Sequence, residues 1–304
     1  MERLLIIGCG DIARRALPEL RSRYRVAALV RSREPALHHP AGFAGTPPLQ
    51  GGDIELIEGD LDDPGSLAPL AGRAQRIVHL APPAGSGSVD VRTQNLITAL
   101  APRGRGAMLP QRLVYLSTSG VYGDCAGEWV EETRAPRPQT ERARRRLDAE
   151  RALHEWGGSN NVEIVILRVP GIYAADRLPL DRLIRGTPAL AAEEDVYTNH
   201  IHAEDLAAIV VAALEGGAVR GLYNASDDGP MKMGDFFDLV ADRAGLRRPP
   251  RVSRDEAGHQ VPQELLSFMS ESRRLVNKRL KADLGVRLRY PTVADGVPMM
   301  VQTV

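Results

Sequence analysis

A glycine turn near the N-terminus is the first feature that could do chemistry. Residues 8–13 read Gly-Cys-Gly-Asp-Ile-Ala, a G-x-G-x-x-A pattern that directly follows an apolar run at residues 3–7. The first glycine permits a tight turn, the second lets the backbone approach a pyrophosphate, and the alanine permits close packing of helix on strand. The pattern predicts a dinucleotide site, and the alternative is an ordinary strand-to-helix turn. The residues predicted to bind the cofactor here are Gly8, Gly10, Asp11 and Ile12.

Basic residues follow the second apolar run, residues 25–30, where Arg31, Ser32 and Arg33 stand in sequence. A carboxylate near this position binds the ribose hydroxyls of NAD, whereas the charge and forked geometry of arginine suit the 2′-phosphate of NADP. These three residues are therefore predicted to bind the cofactor, and NADP is favoured over NAD. The alternative is that the arginines belong to a solvated loop.

Short apolar runs alternate with helical segments over the first half of the chain. This alternation predicts right-handed βαβ crossovers and a doubly wound parallel sheet, a Rossmann-type α/β fold. The predicted strands are 3–7, 25–30, 54–58, 76–80, 112–116 and 162–169, and the predicted helices are 12–23, 66–71, 93–100 and 141–156. The expected domains are a Rossmann domain at 1–170, to which 200–220 returns, and a smaller lobe on the substrate side at 171–304.

Composition excludes several classes of function. The 304 residues hold 39 Lys plus Arg and 39 Asp plus Glu, so no overall charge favours nucleic acid or an anionic membrane. Two cysteines are too few for a disulfide framework, which fits a reducing compartment. No apolar run approaches the roughly 18 residues of a membrane span. The expectation is a cytoplasmic protein with a small-molecule substrate.

Further motifs follow the predicted strands in order. They are Gly59-Asp60-Leu61, His79-Leu80-Ala81-Pro82, the run Leu116 to Gly123 (LSTSGVYG), Leu167 to Tyr173 (LRVPGIY), Asn199 to Leu206 (NHIHAEDL) and Gly221 to Ala225 (GLYNA). This order resembles the extended short-chain dehydrogenase/reductases, the NAD-dependent epimerase/dehydratase group that works on nucleotide sugars. The resemblance spans residue 1 to about residue 230.

The resemblance implies roles for particular residues. Asp60 and Leu61 would flank the adenine, Ala81 and Pro82 would line the cofactor backbone, and Thr118 would hold the active-site Ser/Thr position. Pro170, in the motif after the sixth strand, is assigned to the cofactor site as well. Members of the group dimerise through the helices that correspond to 93–100 and 141–156, so a homodimer is implied.

The sequence departs from the family pattern in its turn and in its catalytic pair. The glycine turn is one residue shorter than usual. Arg142 and Arg146 stand where the family has the tyrosine and lysine of Tyr-x-x-x-Lys, and no tyrosine occurs between Tyr122 and Tyr173. Arginine does not titrate near neutral pH, because its pKa lies above about 12. Arg146 can still bind a ribose or a phosphate.

The remaining candidates for proton transfer are weaker. Thr118 and Tyr122 are the candidate catalytic residues, and Tyr173 is a further proton source. His200 and His202 have suitable pKa values, but the structural interpretation is favoured. Asp205 is predicted to be a helix N-cap.

Two other sequence features receive simpler interpretations. Arg144 and Arg145 are predicted to lie on a solvated helix face. His38 and His39 have no third ligand in view, so no metal is predicted.

Two functions therefore stay open. One is an NADP-dependent oxidoreductase or epimerase-like enzyme with an atypical active site, acting on a nucleotide sugar or another carbonyl compound. The other is a non-catalytic NADP(H)-binding sensor or regulator.

Overall fold

A parallel sheet of seven strands forms the centre of the computed structural model, which describes residues 1–31, 54–101, 108–218 and 220–300. Its strands are β1 (Arg3–Ile7), β2 (Arg25–Val30), β3 (Glu55–Glu58), β4 (Arg76–His79), β5 (Arg112–Thr118), β6 (Glu163–Val169) and β7 (Leu222–Asn224). They lie in the order β7-β6-β5-β4-β1-β2-β3. The strand order reverses between β1 and β4, the point where α/β sheets of this kind bind ligands.

Helices cover both faces of the sheet. They are α1 (Asp11–Arg23), α2 (Val91–Leu100), α3 (Glu141–Asn160) and α4 (Ala203–Glu215). Leu4 and Ile6 of β1 pack into a core with α1 and α4, while Leu5 and Ile7 pack into a second core with α2 and α3. Because both faces are buried, the strands are continuous apolar runs rather than alternating ones. The predicted doubly wound fold is confirmed.

One predicted helix takes a different form. Residues 66–71 were expected to be α-helical, and the structure has a 3-10 helix at Pro64–Leu70. Asp63 caps it by accepting a hydrogen bond from the Gly65 N–H, and Pro69 lies inside it. Proline has no N–H to donate and its ring clashes with the preceding turn, so an α-helix is disfavoured here.

Apart from α4 and one helix of 12 residues, Met233–Ala244, short elements make up the chain beyond the sixth strand. The strands are Gly171–Tyr173, Ala189–Leu190, Tyr197–Thr198, His200–His202, Met231–Lys232, Arg251–Val252 and Arg274–Leu275, the last paired with Trp129–Val130. The helices are Leu180–Ile184, Met233–Ala244, Arg254–Gln260, Gln263–Phe268, Lys278–Leu284 and Val293–Gly296. Strand β7 returns to the main sheet beyond the expected segment 200–220, and the domain boundaries themselves stay a prediction. None of the described helices is both long and apolar enough to span a bilayer.

Candidate active site

The glycine turn fits closely against the loop after β4. Gly8 has a φ of +94°, and a Cβ added there would lie 2.5 Å from the backbone nitrogen of Ala81. The N–H groups of Leu80 and Ala81 donate to the Ile7 carbonyl at 2.8 and 3.0 Å. Glycine is therefore required at position 8 for both conformation and space. Two residues predicted for the cofactor site, Gly8 and Ala81, are in contact.

Gly10 leaves the start of α1 open. It is the N-cap residue and supplies no capping side chain, and a Cβ added to it would meet nothing within 4 Å. The amides of the first helical turn therefore have no side-chain acceptor from the cap residue. An uncapped helix N-terminus beside open space fits a phosphate group.

Two arginines pair with the acidic residue of this turn. The Asp11 carboxylate accepts hydrogen bonds from Arg15 Nε at 2.9 Å and from Arg177 Nη1 at 2.7 Å. Arg15 also pairs with Asp176 and Glu204, each at 2.7 Å, so the negative charge of Asp11 is only partly compensated. The next residue, Ile12, is buried in the core.

Arg92, which the sequence interpretation missed, links two loops that are predicted to bind the cofactor. Its guanidinium donates to the Asp62 carboxylate at 2.8 Å and to the Pro82 and Pro83 carbonyls at 3.2 Å each. The predicted Asp60 and Leu61 precede Asp62, so Arg92 joins the loop after β3 to the loop after β4.

The predicted phosphate-binding arginines are described in part. Arg31 is exposed at the carboxyl end of β2. Hydrogen bonding from Arg92 lowers the pKa of Asp62, and the charge of Arg31 adds to that effect. Arg31 therefore lies near the carboxyl edge of the sheet, while Ser32 and Arg33, like His38 and His39, lie outside the described residues.

Arg146 is fixed at the carboxyl ends of β4 and β5. Its Nη1 donates to the Tyr115 hydroxyl at 3.0 Å, to the Leu116 carbonyl at 2.9 Å and to the Ala81 carbonyl at 3.3 Å. Its guanidinium carbon also lies 5.5 Å from the centroid of the Tyr115 ring. All three hydrogen bonds come from one nitrogen of the Arg146 guanidinium. They hold a permanent positive charge beside Ala81, which is predicted to contact the cofactor.

Thr118 ends β5 and caps the following turn. Its Oγ1 accepts a hydrogen bond from the Gly120 N–H at 3.2 Å, and the residue is partly exposed. This contact uses the oxygen as an acceptor and leaves the hydroxyl proton to be donated elsewhere. Pro170, which follows β6, is also partly exposed.

Tyr122 is placed differently from Thr118. It is 1% exposed, and its hydroxyl donates to Asn224 Oδ1 at 2.8 Å. Burial raises the pKa of Tyr122 to about 12. Tyr173 is similar, since it is buried and donates its hydroxyl to the Thr292 carbonyl at 3.0 Å.

A buried ion pair lies close to these residues. Arg168 of β6 donates to both Glu150 oxygens, at 3.1 and 2.6 Å, and Ser117 of β5 donates to the same carboxylate. The Arg168 guanidinium carbon lies 4.6 Å from the centroid of the Tyr122 ring. An arginine inside an otherwise apolar strand was the sequence signal for this pair, and the sequence interpretation did not use it.

The two histidines of the NHIHAEDL motif have structural contacts. His202 caps α4 by accepting a hydrogen bond from the Glu204 N–H at 3.2 Å. His200 stacks on Phe236 with a centroid separation of 4.3 Å, and burial lowers its pKa to about 3. Asp205 is not the N-cap, so that prediction was wrong. Its carboxylate instead accepts hydrogen bonds from the N–H groups of Arg289 and Tyr290 at 2.7 and 2.9 Å.

The neighbouring arginines of α3 lie in different environments. Arg144 is exposed, but Arg145 is 6% exposed and donates to the Gly87 carbonyl, so its predicted place on a solvated face was wrong. The Arg142 guanidinium carbon lies 4.6 Å from the centroid of the Phe268 ring, which comes from the C-terminal lobe. Within the described ranges, no three His, Cys, Asp or Glu side chains gather as a metal site would require.

Comparison with known proteins decides the family. The model of the NAD dependent epimerase/dehydratase family matches residues 4–226. The chain belongs to this family. Among curated proteins, this family member is 26% identical over 219 residues to Protein YeeZ of Escherichia coli K12, covering 72% of each chain.

Solved structures support the same fold. A functionally unknown conserved protein from Silicibacter pomeroyi DSS is 28% identical, with a TM-score of 0.73 over 97% of this chain and 96% of that one. UDP-glucuronic acid 4-epimerase from Bacillus cereus, in complex with NAD, is 18% identical, with a TM-score of 0.72 over 98% of this chain and 94% of that one. At that identity, the likeness to the epimerase shows the fold alone.

Proposed function

We propose that this epimerase/dehydratase family member is an NADP-dependent oxidoreductase or epimerase-like enzyme with an atypical active site. Its substrate would be a nucleotide sugar or another carbonyl compound. The observation that carries the proposal is the uncapped glycine turn, held against Ala81, with the fixed Arg146 cation beside the same residue. A structural neighbour, MoeE5, is described in complex with UDP-glucose and NAD, which supports this class of ligands.

The predicted site residues would divide the cofactor between them. The start of α1 at Gly10 would bind the pyrophosphate, and Asp60 and Leu61 would flank the adenine. Arg31, with Ser32 and Arg33, would bind the 2′-phosphate of NADP. The Arg146 nitrogens other than Nη1 would hold a ribose hydroxyl or a phosphate. The bound cofactor would supply hydride acceptance and donation at its nicotinamide ring.

Thr118 is the residue we assign to the substrate. Its hydroxyl proton can be donated to a substrate oxygen, because the Gly120 contact uses the oxygen as an acceptor. Arg142 adds positive charge near this end of α3, which would stabilise a developing negative charge on that oxygen. Turnover would be slow, since neither group titrates near neutral pH.

The proposal also includes a cellular location and an assembly. The scarcity of cysteine supports a cytoplasmic protein. Helices α2 and α3 would form the contact of a homodimer, as the family resemblance implies.

The second candidate is a non-catalytic NADP(H) sensor. The hydrogen bonds of the Tyr122 and Tyr173 hydroxyls favour the sensor, because both tyrosines are buried and neither hydroxyl is available to a substrate. Such a protein would bind the cofactor tightly and would change its affinity for a partner with the cofactor's redox state.

An absorbance assay at the reduced nicotinamide band separates the two functions. Purified protein with NADPH or NADP would be presented with nucleotide sugars, aldehydes and ketones. The enzyme predicts reproducible turnover that Thr118→Val abolishes and that Thr133→Val, at an exposed position outside the site and outside α2 and α3, leaves unchanged. Tight cofactor binding without turnover on any substrate would favour the sensor. No saturable binding of either dinucleotide would refute both.

Cofactor preference has its own test. Arg31→Asp would weaken NADP(H) binding far more than NAD(H) binding, because the new carboxylate repels a 2′-phosphate and accepts from ribose hydroxyls. Parallel titrations with both cofactors would measure the ratio of the two losses in affinity, with Arg185→Asp, at an exposed position of the C-terminal lobe, as the matched control. Equal losses for the two cofactors would refute the NADP assignment.

A further inference from the structure

A cavity of about 890 Å³ opens at the amino end of the sheet, at the opposite edge from the glycine turn. Its lining includes Arg3, Arg21, Arg25, Arg73, Tyr24 and Glu55. Arg3, Arg25 and Glu55 are the first residues of β1, β2 and β3, so the cavity spans three neighbouring strand starts. Among the residues that line the cavity, arginines outnumber acidic residues four to one, in a chain with no net formal charge.

Two other arginines at the same edge of the sheet have partners that compensate their charge. Arg76, which starts β4, donates to Glu2 at 3.0 Å and to the Leu214 carbonyl at 2.8 Å. Arg112, which starts β5, donates to Glu163 at 2.7 Å and to the Ala213 carbonyl at 3.1 Å. Each has an acidic partner and a carbonyl at the negative end of helix α4. These two arginines are therefore part of the folded framework.

Arg3 and Arg25 have no such partners. Their side chains make no hydrogen bond or ion pair with any residue that the structure describes, and both are exposed. They are directly paired in the register of β1 and β2, so their side chains leave the same face of strands about 4.8 Å apart. Like charges at paired positions repel, and a bound anion would remove that repulsion.

The rest of the lining narrows the class of anion. Arg73 donates to Glu55 at 3.0 Å, so part of the Arg73 charge is compensated. The forked guanidinium of an arginine matches the oxygens of a phosphate. Pro18, Val26 and Ala27 add an apolar wall beside the arginines. The cavity is large enough for a molecule of nucleotide size.

We propose that this amino-edge cavity binds a phosphate-bearing small molecule through Arg3 and Arg25. The site is separate from the glycine turn, because the five residues of β1 place the two edges roughly 16 Å apart. The proposed site does not depend on whether the family chemistry takes place at the carboxyl edge.

Calorimetric titration of the full chain with inorganic pyrophosphate tests the proposal. The double variant Arg3→Gln with Arg25→Gln is expected to weaken binding at least tenfold. The matched control, Arg134→Gln with Arg185→Gln, removes the same charge from exposed arginines elsewhere and is expected to change affinity by less than twofold. Gly10→Glu, which places a carboxylate at the start of α1, separates the two sites and is expected to leave this binding in place. Titration with adenosine monophosphate then shows whether the apolar wall adds affinity over phosphate alone.

The outcomes that overturn the proposal are distinct. No measurable pyrophosphate binding, equal losses in both double variants, or loss in Gly10→Glu with retention in the Arg3/Arg25 variant would each refute it. Should the Arg3/Arg25 variant fold poorly, modification of the wild-type chain by phenylglyoxal gives a second measurement. Pyrophosphate is expected to protect Arg3 and Arg25 from the reagent, and unchanged modification of both would refute the site.

Discussion

The two halves of the cleft are built by different means. The cofactor half consists of backbone geometry, with Gly8 in contact with Ala81 and the start of α1 left uncapped by Gly10. The half expected to move protons consists of side chains, and there the Tyr122 hydroxyl donates to Asn224 while Arg146 is held by the Leu116 carbonyl. The first half has the geometry predicted for a dinucleotide site. In the second, burial raises the pKa values of the described candidates Tyr122 and Tyr173 away from neutrality.

If the proposed function holds, this difference means that dinucleotide binding and proton transfer are physically separable in this fold. A glycine turn depends on space and dihedral angles, so it persists whatever side chains the opposite helix carries. Proton transfer depends on one group with a suitable pKa within reach of the substrate, so a single substitution removes it. The following variants test this separation, from the largest expected effect to the smallest.

Glu150→Leu is expected to lower the free energy of unfolding by about 3–5 kcal/mol, because it leaves the buried Arg168 guanidinium without its counter-charge. Chemical denaturation would measure it. Adding Arg168→Met to the same chain should restore most of the loss, since two apolar side chains then replace the pair. A cost below about 1 kcal/mol for the single variant would contradict a structural role for this pair.

Gly8→Ala is expected to cost about 2–4 kcal/mol of unfolding free energy, because the Cβ adds a clash with Ala81 to an unfavourable positive φ. Gly10→Ala is the matched control, since the Cβ at that position meets nothing. It should change stability by less than about 0.5 kcal/mol and weaken cofactor binding instead. Similar stability losses in both variants would contradict the distinct roles given to the two glycines.

The sequence predicted the parts of the molecule that depend on local pattern. Six apolar runs placed six strands of the sheet, and the glycine spacing placed a turn that the structure holds against Ala81. It could not predict partners that lie far along the chain. Asp205 bonds to amides 84 and 85 residues away, and Arg145 reaches the Gly87 carbonyl from a helix of mixed charge. Helical periodicity shows which charged residues share a face, but not which of them finds a buried acceptor.

Arg146→Ala is expected to weaken cofactor binding about tenfold to a hundredfold, because a hydrogen bond to a charged group contributes roughly 1.5–3 kcal/mol. Arg144→Ala removes the same charge from an exposed position two residues earlier on the same helix, and it should leave the affinity unchanged. Fluorescence titration with NADPH would compare the two variants. Equal effects would show that general charge, rather than the fixed guanidinium, supports the cofactor half.

The fall of stability above pH 6.5 gives the smallest expected effect. Burial lowers the pKa of His79 and of His200 from 6.5 to about 3, so the unfolded chain binds more protons than the folded one between those values. Stability therefore rises with pH from about 3 to 6.5. Asp227 acts in the opposite direction, because burial raises its pKa from 3.8 to about 8 and the folded state holds the proton longer. Its contribution to stability falls as pH rises from 3.8 to about 8.

Above pH 6.5 the two histidines no longer contribute a slope, and the Asp227 limb remains. One proton corresponds to about 1.4 kcal/mol per pH unit, so the fall from pH 6.5 to 8 should be about 1–2 kcal/mol. Asp227→Asn is expected to flatten this limb and to steepen the rise between pH 3.8 and 6.5, where Asp227 opposes the two histidines. Asp235→Asn, at an exposed position, should change neither limb. Unfolding free energies at pH 5, 6.5 and 8 would measure both limbs. The rising limb depends in part on His79, which lies next to the glycine turn. The falling limb depends on Asp227, in the loop after β7. A falling limb that persists in Asp227→Asn would show that these two regions do not control separate limbs of the pH dependence.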